Sequence, residues 1–271
     1  MDKDKDKDKI IKGPLQQIPN HLLNDFTLNN EIPIVYNFHN DGTTALLEPN
    51  WTNAYLKSYT DRFTKQNIVN NKHGNEPYGA GDLFDPNYGA SYFCCKVFDK
   101  YDLKNKKIGI IGSTTPWLEA IVYNYNCTDI TTIEYNKPSI EENNIFKSIK
   151  YSDCMNLSKE YDVIISYSSI EHSGLGRYGD DLDPNGDLTT MQVVHNILKE
   201  DGLLVLGVPI GMDTLVWNAN RIYGEKRLPL LINGFNVLEW FGGNPTNIFN
   251  VPQYGGKFSP QPILVCNKKI M

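Results

Sequence analysis

From Lys107 onwards the sequence alternates short apolar runs with segments of helical period, and this alternation limits the possible folds more than any other feature. The apolar runs are rich in Ile, Val and Leu and are nearly continuous, which is typical of parallel strands covered on both faces. Strands that alternate with helices predict βαβ units and one parallel sheet with right-handed crossovers. The sequence therefore predicts an α/β fold.

Seven segments are predicted to be strands. They are residues 107–112, 129–135, 149–154, 161–168, 203–209, 235–241 and 263–267. Helices are predicted at residues 90–101, 116–126, 140–146 and 188–199. Pro116 suits the first turn of its helix, and the turn at Asp201 and Gly202 suits a helix end.

The N-terminal part of the chain differs from this core, which we place at residues 106–271. Residues 1–30 are predicted to be a disordered or poorly ordered tail, because the opening Asp-Lys repeat offers nothing apolar to bury. Residues 31–105 are predicted to be a helical lead-in that packs on the core. Within it, aromatic residues recur every four positions from Trp51 to Phe63, the spacing of one apolar helix face.

The net charge and the hydropathy pattern limit which classes of binding partner are expected. The net charge is −6 and the isoelectric point about 5.4, with no cluster of Lys and Arg of the kind that neutralises nucleic-acid phosphates. The chain has no run of about 18 apolar residues and no apolar signal segment. Its five cysteines form no C-x-x-C pair, which fits reduced thiols. We expect a cytoplasmic protein without a nucleic-acid or membrane partner, and its oligomeric state stays open.

Residues that directly follow the predicted strands are the first candidates for a site, because ligands of such sheets bind outside the carboxyl ends of the strands. Gly112 and Ser113 follow the first strand, where glycine allows a close backbone approach and the next helix offers donors. Glu134 lies 22 positions after Gly112, near the ~20 of a ribose-binding carboxylate. Asp153 follows the third strand and can accept from an adenine amino group. The alternatives are a capping turn and solvated carboxylates.

A polar loop of about 15 residues follows the fourth strand, and loops of this length are usually functional or disordered. Ser168 and Ser169 open it, and Glu171, His172 and Asp180 are its candidate catalytic residues. His172 can act as a general base at neutral pH, with a carboxylate of residues 180–187 as the second candidate. The alternative for His172 is a structural hydrogen bond.

Further polar and aromatic residues are candidates for binding a substrate. Arg177 and Tyr178 belong to the same loop, and Asn218 and Arg221 follow the fifth strand. An arginine there can clamp a carboxylate or phosphate group. The alternative is a surface segment with ion-paired arginines.

The acidic residues 181–187 match the first seven positions of a calcium-binding loop. The twelfth position is Gln192 rather than the required Glu, and Pro184 interrupts the pattern. Asp187 can instead cap the helix that follows. We assign no metal site, and a metal-assisted enzyme remains an alternative.

Three motifs together resemble a known family. They are Ile-Gly-Ser-x-x-Pro-Trp, Ser-Tyr-Ser-Ser-Ile-Glu-His-Ser-Gly-Leu-Gly-Arg-Tyr-Gly-Asp, and Pro-Ile-Gly-x-Asp followed by Asn-Ala-Asn-Arg-Ile-Tyr-Gly. Over residues 78–266 the chain resembles the family known as domain of unknown function 268. That family is itself similar to class I methyltransferases, which use S-adenosylmethionine.

The resemblance implies a Rossmann-like class I methyltransferase sheet, mostly parallel with an antiparallel last strand. It also implies S-adenosylmethionine as cofactor, with Gly112 facing its methionine part, Glu134 its ribose and Asp153 its adenine. Ser168 and Ser169 would lie beside the sulfonium. The sequence departs from class I enzymes in one respect, because these usually carry several glycines after the first strand.

Together these observations predict an S-adenosylmethionine-dependent methyltransferase that acts on a small polar acceptor. In such an enzyme the protein mainly aligns the acceptor with the sulfonium. The alternative is a catalytically inactive, methyltransferase-like binding or scaffold protein.

Overall fold

A computed structural model describes residues 15–36, 49–73, 89–243, 247–250 and 260–269. Its α-helices are α1 (Leu23–Phe26), α2 (Asn53–Arg62), α3 (Lys65–Val69), α4 (Ala90–Lys100), α5 (Trp117–Asn124), α6 (Tyr151–Cys154), α7 (Gly186–Ile197) and α8 (Arg227–Leu231). Its strands are β1 (Ile34–Val35), β2 (Asn50–Trp51), β3 (Lys107–Ile111), β4 (Asp129–Glu134), β5 (Ser139–Ile140), β6 (Phe146–Lys150), β7 (Tyr161–Tyr167), β8 (Leu198–Gly207), β9 (Thr214–Val216), β10 (Asn220–Ile222), β11 (Phe235–Phe241) and β12 (Ile263–Lys268). Short 3-10 helices lie at Asn20–Leu22, Ile170–His172 and Ile248–Asn250.

The central sheet has seven strands in the order β11-β12-β8-β7-β3-β4-β6. Strands β3, β4, β6, β7 and β8 are parallel to their neighbours in this group, whereas β12 runs antiparallel to both β8 and β11. The first five of these strands along the chain thus follow the doubly wound order 3-2-1-4-5. This confirms the predicted α/β fold and the Rossmann-like, mostly parallel class I methyltransferase sheet with its antiparallel last strand.

Hydrophobic layers cover both faces of this sheet. On one face, Ile110 and Ile165 pack in a cluster with residues of α2, α4 and α5, and on the other, Ile164 and Leu204 pack with residues of α7 and α8. Successive side chains of a strand point to opposite faces, so a strand buried on both must be apolar along its length. Each fully buried Ile or Leu contributes about 1.5–3 kcal/mol relative to exposure.

The segment between β4 and β7 differs from its prediction. The helix predicted at residues 140–146 is wrong, because Asn143 Oδ1 accepts hydrogen bonds from the backbone N–H groups of Ile145 and Phe146 and turns the chain into β6. The third strand, predicted at residues 149–154, ends at Lys150. The last four of the six predicted residues form α6, which buries the side chains of Tyr151 and Cys154, three positions apart.

Residues 15–30, predicted as part of a poorly ordered tail, instead pack on the core. The buried side chains of Ile18 and Phe26 join a cluster with Trp217, whose ring lies 5.3 Å from that of Phe26 in an edge-on arrangement. The Trp217 indole N–H also donates to the carbonyl of Leu15 at 2.8 Å. The apolar residues of this segment lack a period, so only their tertiary contacts identify them as core. Residues 1–14 lie outside the described residues.

Helices α2 and α4 match the predicted helical segments of the lead-in. The Thr52 hydroxyl accepts from the N–H of Tyr55 at 3.1 Å and caps α2. Leu56 and Phe98 are buried in the same cluster as α5 and the sheet. None of the helices within the described ranges combines the length and apolar character that crossing a membrane requires.

Candidate functional site

A cavity of about 300 Å³ opens at the carboxyl ends of β3, β4 and β7. Its lining comes from the loop after each of these strands and from the segment before β2. The lining residues are Pro49, Gly112, Ser113, Thr114, Glu134, Tyr135, Asn136, Ser168, Ser169, His172, Ser173, Tyr178 and Asp180. The volume lies at the lower end of the range of small-molecule pockets, about 300–1,000 Å³. Eight of the predicted site residues therefore meet in one cavity.

Two features require glycine at position 112, its backbone conformation and the close approach of Ser169. Its φ angle is +83°, in the left-handed region that favours glycine. A Cβ atom at this position would lie 1.8 Å from Ser169 Oγ and 2.1 Å from Ser169 Cβ. The sequence predicted a close backbone approach to a ligand. The structure shows that the missing side chain first makes room for Ser169.

Glu134 lies beside Gly112 because their strands are neighbours, with Ile111 paired to Ile133. Glu134 Oε2 accepts from the N–H of Tyr135 at 2.9 Å. Burial raises the pKa of Glu134 to about 7, although hydrogen bonds from the backbone of Tyr135 and Ser113 oppose the rise. The carboxyl group thus titrates near neutrality at the cavity wall.

Behind this wall lies Glu119, which the sequence analysis missed. Its side chain is 1% exposed, and it accepts hydrogen bonds from Ser113 Oγ at 2.9 Å and from Thr132 Oγ1 at 2.7 Å. Burial raises its pKa to about 7. The signal available in the sequence was an acidic residue inside the apolar run of α5.

Ser168 and Glu171 form a second buried pair. Ser168 has a φ angle of +51°, and its hydroxyl donates to Glu171 Oε1 at 3.0 Å. The Glu171 side chain is completely buried, and burial raises its pKa to about 7. Glu171 therefore lies behind the lining, with Ser168 between its carboxyl group and the cavity.

The imidazole of His172 has a defined orientation. Its Nδ1 is hydrogen-bonded to the carbonyl oxygen of Ala219, and a carbonyl can only accept, so Nδ1 carries the proton. In the neutral ring Nε2 then bears the lone pair. Nε2 lies 3.6 Å from Glu171 Oε1, and the Tyr178 ring packs edge-on at 5.5 Å. This arrangement suits a general base.

Asp180 lines the cavity but also organises its loop. Its Oδ2 accepts from the N–H groups of Gly174 at 2.7 Å and Gly176 at 3.2 Å, and its Oδ1 accepts from the N–H of Tyr178 at 3.2 Å. These bonds satisfy backbone donors that the irregular loop leaves without partners. They favour a structural role for Asp180 over the predicted catalytic one.

Arg221 does not lie where a substrate-binding residue would. It is 2% exposed and is absent from the cavity lining. Its guanidinium donates to the carbonyl of Ser173 at 2.6 Å and to that of Glu171 at 3.3 Å. The predicted clamp on a substrate is corrected to a clamp on the protein's own loop.

Three other predicted residues also lie off the cavity lining. Asn218 is completely buried, and Arg177 lies over the Tyr178 ring at 5.2 Å, with Nη1 donating to the Ala219 carbonyl at 3.3 Å. Asp153 is exposed on α6, since the chain has already turned into this helix. Of the four residues predicted to bind substrate, only Tyr178 lines the cavity.

Asp187 anchors the far end of the loop. Its carboxylate forms a two-point ion pair with Arg227, at 2.6 and 2.9 Å, and accepts from the Tyr223 hydroxyl at 3.0 Å. Burial favours its neutral form, but the charges of Arg221 and Arg227 hold the pKa of Asp187 below its ordinary value. Asp187, the seventh residue of the calcium-like pattern, is thus engaged by arginines. Within the described ranges no cluster of three metal-ligating side chains occurs.

Comparisons with known proteins agree with the motifs. Residues 105–256 match the family model described as Caenorhabditis protein of unknown function, DUF268. The match covers more than half of the chain. No curated protein matches the sequence.

Solved structures with a related fold share little sequence with this chain. The [4+2]-cyclase SpnF superposes with a TM-score of 0.50 at 14% identity, over 83% of this chain and 100% of that one. The Burkholderia thailandensis 1,6-didemethyltoxoflavin-N1-methyltransferase, solved with S-adenosylhomocysteine, gives 0.46 at 11% identity, over 66% and 77%. A TehB-like SAM-dependent methyltransferase from Corynebacterium glutamicum gives 0.40 at 15% identity, over 80% and 99%. At such identities the likeness to SpnF concerns the fold alone.

Proposed function

The chain belongs to the DUF268 family, and we propose that it is an S-adenosylmethionine-dependent methyltransferase that acts on a small polar acceptor. The observation that carries the proposal is one shared cavity. Gly112 and Glu134, which lie at the carboxyl ends of adjacent parallel strands, line it together with Ser168 and Ser169. The carboxyl edge of such a sheet is where ligands of this fold bind.

The donors and acceptors around the cavity fit a nucleoside that carries no phosphate. The Glu134 carboxylate can accept hydrogen bonds from the two ribose hydroxyls. A phosphate group beside Glu134 would be repelled, whereas the positively charged S-adenosylmethionine is attracted. Gly112 and Ser113 would face the methionine part, and Ser168 and Ser169 the sulfonium.

S-adenosylmethionine, when bound, supplies an electrophilic methyl group. For a hydroxyl acceptor, His172 Nε2 takes the proton while Nδ1 keeps its hydrogen bond to the Ala219 carbonyl. The carboxyl group of Glu171, 3.6 Å from Nε2, stabilises the resulting imidazolium when it is ionised. General base catalysis of this kind contributes typically 10²–10⁴-fold.

Cofactor binding is tested by calorimetry with S-adenosylmethionine and S-adenosylhomocysteine. We expect both to bind the wild-type protein, and Glu134→Ala to weaken S-adenosylhomocysteine about tenfold or more, since a charge-assisted hydrogen bond contributes about 1.5–3 kcal/mol. Glu142→Ala removes an exposed carboxylate outside the cavity lining and is the matched control. Failure of folded wild-type protein to bind either compound contradicts the proposal.

Catalysis is tested separately with a radiolabelled methyl donor and a panel of small hydroxyl- and amine-bearing acceptors. His172→Asn preserves a side-chain donor for the Ala219 carbonyl but removes the base. We expect it to reduce transfer to a hydroxyl acceptor about 10²–10⁴-fold and to leave S-adenosylhomocysteine affinity unchanged. Binding without transfer to any acceptor favours the alternative, a catalytically inactive binding protein.

A further inference from the structure

We infer that Glu119 is a positioning residue of this site, whose buried carboxyl group joins the loop after β3 to the end of β4 and sets the orientation and charge of Glu134. The inference rests on the proposed function for its consequence, which is tighter nucleoside binding. The structural role of Glu119 is supported by its own hydrogen bonds, independently of that function.

The two oxygens of the Glu119 carboxyl group accept hydrogen bonds from two different segments next to the cavity. Oε2 accepts from Ser113 Oγ at 2.9 Å, and Ser113 directly follows Gly112. Oε1 accepts from Thr132 Oγ1 at 2.7 Å, and Thr132 lies two positions before Glu134. The Ser113 backbone in turn hydrogen-bonds Glu134. One side chain outside the cavity lining therefore connects the loop after β3 with the end of β4, the two segments that carry the proposed nucleoside contacts.

Packing alone does not call for a carboxyl group at this position. Glu119 is 1% exposed, and its helix neighbours Leu118, Ala120 and Ile121 are apolar and buried. Removing a carboxyl group from water destabilises the fold unless hydrogen bonds compensate, and well-packed apolar residues often stabilise such sites more. The hydrogen bonds from Ser113 and Thr132 offset this cost. Through them the carboxyl group holds Ser113, which lines the cavity, and the strand that ends at Glu134.

Glu119 and Glu134 also influence each other's charge. Burial raises the pKa of Glu119 to about 7, and the negative charge of Glu134 adds to the rise. Two neighbouring carboxyl groups do not both ionise readily, so they titrate as a pair. Ser113 faces Glu119 from the loop and Thr132 from β4. Among the described residues, Glu134 is the charged group that acts on Glu119. Because both groups titrate near 7, an ionised Glu119 raises the pKa of Glu134, and a protonated Glu119 favours the Glu134 anion that can accept hydrogen bonds from ribose hydroxyls.

The first experiment needs no ligand. Side-chain carboxyl ¹³C NMR follows the titration of Glu134, assigned with Glu134→Gln, in wild-type and Glu119→Gln protein. Glutamine keeps partners for both hydroxyls but removes the charge. We expect the Glu134 midpoint to fall by several tenths of a pH unit or more, with no change in Glu142→Gln. An unchanged midpoint in Glu119→Gln would overturn the inference.

The second experiment compares two threonines on one strand. Thr132→Val removes a donor to Glu119, whereas Thr131→Val makes the same chemical change on the opposite face of β4, where Thr131 contacts Tyr161. We expect Thr132→Val to weaken S-adenosylhomocysteine binding several-fold, less than the 10–100-fold losses at metal-site supporting shells, and Thr131→Val to change it by no more than about twofold. Equal affinities for the two variants would overturn the inference. Absence of wild-type binding would instead defeat the proposed function, while the NMR titration still decides on Glu119.

Discussion

Two walls of the same cavity are built in different ways. One wall is formed by Gly112–Thr114 and Glu134–Asn136, short loops directly on the ends of neighbouring parallel strands. We call it the nucleoside wall, because the proposed function assigns the nucleoside to it. The other wall is the long loop Ser168–Asp180 after β7. We call it the acceptor wall, because the proposed function assigns His172 to the acceptor, while Ser168 and Ser169 at its start are assigned to the sulfonium. The first wall takes its geometry from the sheet. The second wall lacks the backbone hydrogen bonds of a sheet, so side chains from distant parts of the chain must fix its conformation.

The acceptor wall is held mainly from behind. Arg221 donates to two carbonyls of the loop, and Asp187 pairs with Arg227 at the start of α7. The loop also folds back closely on itself, because a Cβ on Gly174 would lie 2.1 Å from the carbonyl oxygen of Asp183. The buried guanidinium of Arg221 thus provides hydrogen-bond donors for loop carbonyls that face the protein interior, and buried polar groups need such partners. We therefore expect substitutions that break the ion pair to disrupt the acceptor wall, and substitutions that strain the backbone to disrupt the nucleoside wall.

The largest expected effect is that of Asp187→Ala. Removal of the carboxylate leaves Arg227 and Arg221 as uncompensated buried charges, and breaking such a pair destabilises by about 3–5 kcal/mol. Urea unfolding measures the free energy of unfolding, with Asp181→Ala as control because Asp181 is exposed on the same loop. If the two variants lose stability equally, the acceptor wall does not depend on the ion pair.

A smaller effect is expected for Gly112→Ala on the nucleoside wall. Alanine strains the φ of +83° and places a Cβ against Ser169, which together cost of order 1–3 kcal/mol if Ser169 shifts to relieve the overlap. The midpoint temperature of thermal unfolding and the affinity for S-adenosylhomocysteine should both decrease. The double variant Gly112→Ala/Ser169→Gly removes the overlap and should regain part of the loss. A double variant no better than Gly112→Ala would argue against the contact.

The smallest expected effect is a pH dependence of ligand affinity that arises from Glu134 on the nucleoside wall. In the proposed complex the Glu134 anion accepts hydrogen bonds from the ribose hydroxyls, so protonation of Glu134 is expected to weaken binding. Because burial raises its pKa to about 7, affinity for S-adenosylhomocysteine should fall as the pH drops through 7 rather than near 4.5. The slope approaches tenfold per pH unit below the midpoint. Calorimetry between pH 6 and 8 measures it, and Glu134→Gln should bind more weakly with a flatter profile. A flat wild-type profile contradicts this role of Glu134.

Much of the nucleoside wall could be predicted from sequence. Apolar runs locate buried strands, and strand β11 occupies the predicted residues 235–241. Strand ends then identify Gly112 and Glu134 as candidates, because parallel strands bring their carboxyl ends to one edge. Local pattern is sufficient here since the information lies within a few residues of each strand.

The acceptor wall and the support behind both walls were decided by tertiary structure. Local sequence does not distinguish Arg221, buried against carbonyls about 50 positions away, from an arginine that faces a substrate. Nor does it reveal that Glu119 meets Ser113 and Thr132. Hydropathy determines which segments are buried, but the partner of a buried charge depends on which distant groups the folded chain brings within hydrogen-bond distance. The sequence determined the sheet and its edge, and the packed fold determined which polar residues face the cavity.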